Sequence, residues 1–326
     1  MKECTYTVTC ELIIENRDKL YVPIVQEGVT WTTERRGSPG KLTFTVIKDD
    51  VIDFTEGNPV RFTVDCQNVF YGFVFTKKRD KKHHISVTAF DQLRYLKNKE
   101  TYNIKNKTAS DIVKMIAGDF SLQTGDIDQT EFVIASQPED NTALMDIIYS
   151  ALDKELANKK QMYVLYDDCG KLTLKSIENM KLDLLIDEET GENFDYSTSI
   201  DDSTYNRVKL TFENEKTGKR DVYVVQDGGH ITDWGLLQYV DKLKAGENGE
   251  AKAEALLELY NAKTRKLKVS KAFGDPRVRA GCLIPVMLGL GDMNALSYML
   301  VEKVTHTFYG SDHRMDLTLR GGEIVA

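Results

Sequence analysis

"EGNPVRFTVDCQNVFYGFVF", Glu56–Phe75, reads as two short strands around a polar turn. Val60, Phe62 and Val64 alternate with Arg61, Thr63 and Asp65, the period-two pattern of a half-buried strand. The pattern returns much later in "RAGCLIPVMLGLGDMNALSYMLV", Arg279–Val301. In each stretch a glycine, Gly57 or Gly281, follows a turn and opens a strand. Pro59-Val60-Arg61-Phe62 stands against Ile284-Pro285-Val286, and Tyr71-Gly72-Phe73-Val74 against Tyr298-Met299-Leu300-Val301. Upstream, Leu42, Phe44 and Val46 precede Gly57 as Leu267 and Val269 precede Gly281. Downstream, His84 opens a last strand in one copy and His313 in the other. Alternating strands resemble one another, so the ordered set of landmarks carries the inference, not any one of them. It predicts a mainly β chain with two related small β-barrel domains.

Between the copies the period changes. "NKTASDIVKMIAGDF" places Ile112, Val113 and Ile116 on one helical face behind an N-cap at Thr108 or Ser110. "DNTALMDIIYSALDKELANKK" is a second helix, and "QMYVLYD" and "KLTLKSI" flank a hairpin turn at "DDCG". This gives three expected modules: 1–98, a β-barrel; 99–198, an α+β domain; and 199–326, a second β-barrel with a helical insertion at about 232–264. The polar stretch 187–203 reads as a linker.

Charge follows the same division. The net charge is −8. Residues 1–98 hold 15 basic and 13 acidic residues, 99–198 hold 10 and 20, and 199–326 hold 18 and 18. An acidic middle third argues against broad nucleic-acid binding, which needs a basic face. No apolar run is long enough for a membrane span. The N-terminus alternates like a strand and lacks the apolar core of a signal peptide, so synthesis in the cytoplasm is expected. Five cysteines without a CxxC pair read as reduced thiols; Cys4 and Cys10 fall on one strand face.

The stretch "GSPGKLTFTVIKDD", then "FTEGNPVRFTVD" and "VFYGFVFTKKRDKKHHISVTAFDQLRYLKNKETY", resembles the central baseplate hub of contractile phage tails and phage-tail-like bacteriocins, the group of late control protein D. "NKTASDIVKMIA" and "LMDIIYSALD" are similar to its middle domain, and Trp234–Gln238 with "GDPRVRAGCLIPV" to its C-terminal half. The resemblance covers essentially the whole chain through a series of weak motifs. It implies a homotrimeric ring with pseudo-sixfold symmetry, assembled into a virion tail or tail-like particle. The implied partners are a trimeric spike protein, the hexameric tail tube protein and other baseplate proteins. The chain ends at "LTLRGGEIVA" without β-helix repeats or a lysozyme, so the spike is expected to be a separate chain.

No catalytic, metal or cofactor site is expected. His83-His84 point to opposite faces of a strand start, and no ligand cluster completes a site. Cys282 has no nucleophile motif around it and reads as packing. Gly289-Leu290-Gly291 lacks the third glycine of a dinucleotide loop and reads as a hairpin loop. Asp187–Asp195 lacks the alternation of a calcium loop. Asp167-Asp168 reads as a turn. The run Lys77-Lys78-Arg79-Asp80-Lys81-Lys82 reads either as a solvated hairpin tip or as a contact for an acidic partner surface. Expected interface residues are Gly57, Val60, Phe62, Tyr71, Phe73, Lys77, Lys78, Lys81, Lys82, Gly281, Val286, Tyr298 and Leu300. A tail-associated cell-wall hydrolase and a carbohydrate-binding module remain as alternatives. The first has no motif here, and the second has only Trp31 and Trp234, in different modules.

Overall fold

The computed structural model describes residues 8–201, 204–214, 218–243, 248–289 and 297–321. The first half contributes β1 (Cys10–Asn16), β2 (Lys19–Tyr21), β3 (Val25–Glu34), β4 (Lys41–Ile47), β5 (Pro59–Val64), β6 (Gln67–Arg79) and β7 (His84–Phe90). The middle module runs through a 3-10 turn at Gln92–Lys97, then β8 (Lys99–Lys107), α1 (Ala109–Asp119), β9 (Thr124–Ile127), β10 (Ile134–Ala143), α2 (Leu144–Lys159), β11 (Tyr163–Asp167) and β12 (Leu172–Ser176). Next come β13 (Asn193–Ser199), β14 (Arg207–Asn214), β15 (Lys219–Gln226), α3 (Gly228–Trp234), β16 (Gln238–Lys242) and α4 (Gly249–Tyr260). The chain closes with β17 (Thr264–Phe273), β18 (Leu283–Val286), β19 (Ser297–Tyr309) and β20 (Asp312–Gly321).

The mainly β class with an α+β insertion is observed. The two halves share one twelve-stranded sheet in the order β13-β17-β20-β19-β3-β4-β7-β6-β5-β1-β2, with β18 also on β19. Within it the repeat is explicit. The first half runs β5-β6-β7-β4-β3 and the second β18-β19-β20-β17-β13, the same order of corresponding strands. Gly57 and Gly281 occupy one position in both. Their φ angles are 87° and 99°, a region open to glycine because it lacks a Cβ. The Gly57 amide donates to the Val74 carbonyl at 2.7 Å, and that of Gly281 to Val301 at 2.8 Å. The Val74 and Val301 amides return bonds to Asn58 and Cys282, each at 2.9 Å. The register then shifts just after Val74 against β7 and just after Val301 against β20. The barrels expected as separate units are thus two halves of one sheet, and no strand pairing closes either into a ring among the described residues.

Three main cores underlie the modules, with Phe308 of β19 joining the first and Val164 of β11 joining the second. Leu12, Trp31, Leu42, Phe44, Phe62 and Val87 pack in the first half, and Leu267, Val269, Ile284, Leu300, Val304 and Leu317 in the second. The middle core sets Ile112, Ile116, Leu144, Ile148 and Leu165 together. Helix α1 starts at Thr108, whose side chain accepts from the Asp111 amide while Asp111 reaches back to the cap, a complete capping box.

Two expected boundaries move. The supposed linker 187–203 contains β13, which pairs with β17 and belongs to the second half. The insertion is larger than 232–264: β14 and β15, expected in the second barrel, form a separate three-stranded sheet with β16. That sheet packs Val208 and Leu210 against Ala253 and Leu256 of α4. The insertion leaves and rejoins the main sheet at neighbours, since Ser199 pairs with Thr264. Cys4 and most of the loop expected at Gly289–Asn294 lie outside the described residues.

Candidate assembly interface

The element that unites the halves is the antiparallel pairing of β3 with β19, from Glu34↔Lys303 to Val29↔Phe308. Trp31 and His306 sit opposite each other, and their rings stack with centroids 4.8 Å apart. The hydroxyls of Thr32 and Thr305 meet at 3.2 Å. At the end of the pairing, Arg35 Nε donates to Glu302 at 2.8 Å and Lys303 Nζ to Glu34 at 2.7 Å. Lys303 holds the Glu34 carboxyl below its ordinary range by that hydrogen bond. Lys303–Glu34 is a largely exposed pair of the kind that contributes little, whereas Arg35–Glu302 is partly buried; the buried aromatics supply most of the joint's packing.

His306 is fully buried. Its Nε2 lies 2.8 Å from the Val278 carbonyl and its Nδ1 2.9 Å from His313 Nε2. A carbonyl only accepts, so Nε2–H of His306 donates to Val278. Its Nδ1 then accepts from Nε2–H of His313. Both rings are neutral in this arrangement. Burial first, and His313 as a second charge, lower His306 to about 3. Burial lowers His313 to about 4.

The middle module is clamped beside this joint. Arg36 pairs in a fork with Asp153 at 2.9 Å through both nitrogens, lies over the Tyr149 ring, and the Tyr149 hydroxyl donates to the Arg35 carbonyl at 3.0 Å. Arg279 stacks on Tyr166 at 3.8 Å and donates to the Asp167 carbonyl at 2.8 Å. Asp91 accepts from the Gly40 amide at 2.9 Å and the Leu93 amide at 3.1 Å. Burial, with Asp167 nearby, holds its carboxyl well above the ordinary range.

The expected interface residues divide by burial. Val60, Phe62, Val286 and Leu300 are buried in their own halves, so their side chains pack this chain and cannot meet another. The reason is strand alternation: the inward positions are the apolar ones. Gly281 is also buried, against Val164 of the middle module. Tyr71 and Phe73 are half-buried and meet edge to face at 5.8 Å. Tyr298 is exposed under Lys181. Gly57, Lys78, Lys81 and Lys82 are exposed, whereas Lys77 bends back onto the Phe54 ring and carbonyl. Sequence reasoning does not single out the joint residues Trp31, Thr32, Thr305 and His306. Their only sequence signal is alternation, which does not name a partner strand.

Among the described residues no group of three or more His, Cys, Asp or Glu side chains is placed to hold a metal. Cys282 is buried, and burial raises its thiol above the ordinary value. No helix among the described residues is long and apolar enough to cross a membrane.

Two curated relatives from Bacillus subtilis strain 168 align over nearly the whole chain. YqbQ, an uncharacterized protein, is 29% identical over 91% of this chain and 92% of its own length. The phage-like element PBSX protein XkdQ is 28% identical over 92% and 94%. Among solved structures, the tail protein from Neisseria meningitidis MC58 superposes with a TM-score of 0.72 at 12% identity, covering 98% of each chain. The E. coli c3393 protein, described as a component of the type VI secretion system with similarity to the T4 tail proteins gp27 and gp5, gives 0.54 at 12% identity over 94% of this chain and 76% of its own. At these identities the structures speak for the fold alone. The family model described as YQBQ-like matches residues 29–320, and the chain therefore belongs to the YQBQ-like family.

Proposed function

We propose that the chain is a structural hub of a phage-type tail or tail-like particle. Three copies would form a ring that joins a trimeric spike to a hexameric tail tube. The observation that carries the reading is the duplicated strand order within one sheet. A chain with two equivalent β units presents twice as many similar surfaces as there are chains, so a threefold ring offers six. That is what a joint between threefold and sixfold partners requires. The XkdQ relative, a protein of a phage-like element, and the fold shared with tail proteins support the same reading. The work proposed is assembly and not catalysis, with spike, tube and other baseplate proteins as partners.

The test is the solution mass of the purified chain by light scattering over a range of concentrations. A mass near three times the 37.0 kDa protomer is expected. A stable dimer overturns the reading, because a twofold particle has no place on a threefold or sixfold axis.

A further inference from the structure

The two halves carry the same strands, but among the described residues one of two equivalent joints is made. β19 runs on past its pairing with β18 and gives the outer edge of Lys303–Phe308 to β3. Its counterpart β6 also runs on past β5, through Thr76, Lys77, Lys78 and Arg79. That outer edge has no strand partner among the described residues. The counterpart of β3 is β13, which among the described residues pairs with β17 and ends the sheet path.

Burial separates the made joint from the open one. Val29, Trp31, Thr32 and Thr33 of β3 are buried, as are Val304, His306 and Phe308 of β19. On β13, Asn193, Phe194, Asp195, Ser197 and Thr198 are exposed, and so are Thr76, Lys78 and Arg79 of β6. An uncovered strand with an apolar side chain such as Phe194, 43% exposed, is a template for another strand. The two edges are also opposite in charge. β6 runs into Lys78, Arg79, Lys81 and Lys82, while β13 carries Asp195 and is flanked by Glu188, Glu189, Glu192 and Asp201.

We propose that the free edge of β6 in one copy pairs antiparallel with β13 of the next copy, repeating the β3–β19 joint between chains. The repeat dictates the register. Leu42 and Leu267 correspond, and their partners are Trp31 and Tyr196. Phe44 and Val269 correspond, and their partners are Val87 and Leu317. Val87 and Leu317 in turn face Lys77 and Val304. Hence Val304, Thr305 and His306 map onto Lys77, Lys78 and Arg79. The pair Thr32↔Thr305 maps onto Ser197↔Lys78, and Thr33↔Val304 onto Thr198↔Lys77. The Arg35 amide donates to the Glu302 carbonyl at 2.9 Å, which makes Thr32–Thr305 a non-hydrogen-bonded pair by alternation. Such pairs bring side chains closest. The inference rests on the ring reading and supplies its contact. The pairing is head to tail, which excludes a twofold dimer and builds a ring when the rotation between copies closes, as the threefold reading requires.

The test is the full chain carrying Lys78→Cys with Ser197→Cys, oxidised mildly and separated without reductant. Both positions are exposed, so the fold is expected to persist. Each single variant reports the background from the native thiols, of which Cys66 is exposed. A mismatched variant, Lys78→Cys with Asn193→Cys, moves the second thiol four residues along the strand, roughly 13 Å away. The expected result is covalent dimers and trimers in the matched variant, reversed by reductant and absent from the mismatched one. Particles of trimer mass that do not cross-link at the matched pair, or cross-link equally at the mismatched one, overturn the edge pairing and leave the ring standing. A chain that is monomeric at every concentration and does not cross-link overturns both.

Discussion

Two glycines test the repeat one residue at a time. A methyl on Gly57 would meet open space, but φ there is 87°, so Gly57→Ala meets backbone strain only, expected to cost about 1 kcal/mol. At Gly281 the same strain is joined by a clash, since a Cβ would lie 2.6 Å from Val164 Cγ1. Gly281→Ala is expected to cost a further ~1–3 kcal/mol as overpacking. Urea denaturation of both variants checks this, and equal losses would contradict the packing of the middle module onto Gly281. The buried imidazoles give a pH test. His306 and His313 titrate at about 3 and about 4 in the fold, against 6.5 unfolded. The unfolded chain therefore takes up protons first as pH falls. Their stabilisation is complete above 6.5 and declines as pH drops toward 4 and 3. Asp91 and Asp167, both raised, act in the opposite sense. His313→Gln isolates the imidazole part: its stability between pH 7 and pH 5 should fall less steeply than that of the native chain. An unchanged slope would refute the neutral-pair assignment.

At the scale of elements, the β3–β19 joint and helix α1 differ in what holds them. Trp31 is buried in the first core and stacked on His306 across the joint. Trp31→Ala should cost about 3–5 kcal/mol by opening a cavity at the seam. Thr108→Ala removes a capping box at a chain-local site and should cost about 1 kcal/mol. Calorimetry should show the first change lowering the transition of the main sheet, and the second acting on the middle module. Both helices of that module were legible, because a 3.6-residue apolar period is local. β13 was not. Its sequence, Asn193–Ser199, is exposed on most positions, and its alternation is confined to Phe194 and Tyr196 in an otherwise polar, acidic stretch. A strand held by its backbone on one edge leaves little trace in side-chain pattern.

At the scale of the whole molecule, the insertion is predicted to be dispensable for the main sheet. Ser199 and Thr264 are paired neighbours, and the insertion carries its own core. Replacing 200–263 by a short Asn-Gly turn should leave a folded chain, since that dipeptide suits a two-residue hairpin. Loss of the sheet's far-UV circular dichroism would show instead that the insertion props the fold. The sequence by itself determined the β class, the internal repeat with its paired glycines, the acidic α+β module and the basic run at Lys77–Lys82. All of these are local periods or landmarks repeated in order. Tertiary structure decided that the halves share one sheet through β3 and β19, that β14 and β15 leave it, and that Val60, Phe62, Val286 and Leu300 face inward. Strand pairing is a contact between distant segments, and alternation marks a strand's faces but not the edge it will bond. That is why the joint and its open counterpart emerged only from the fold.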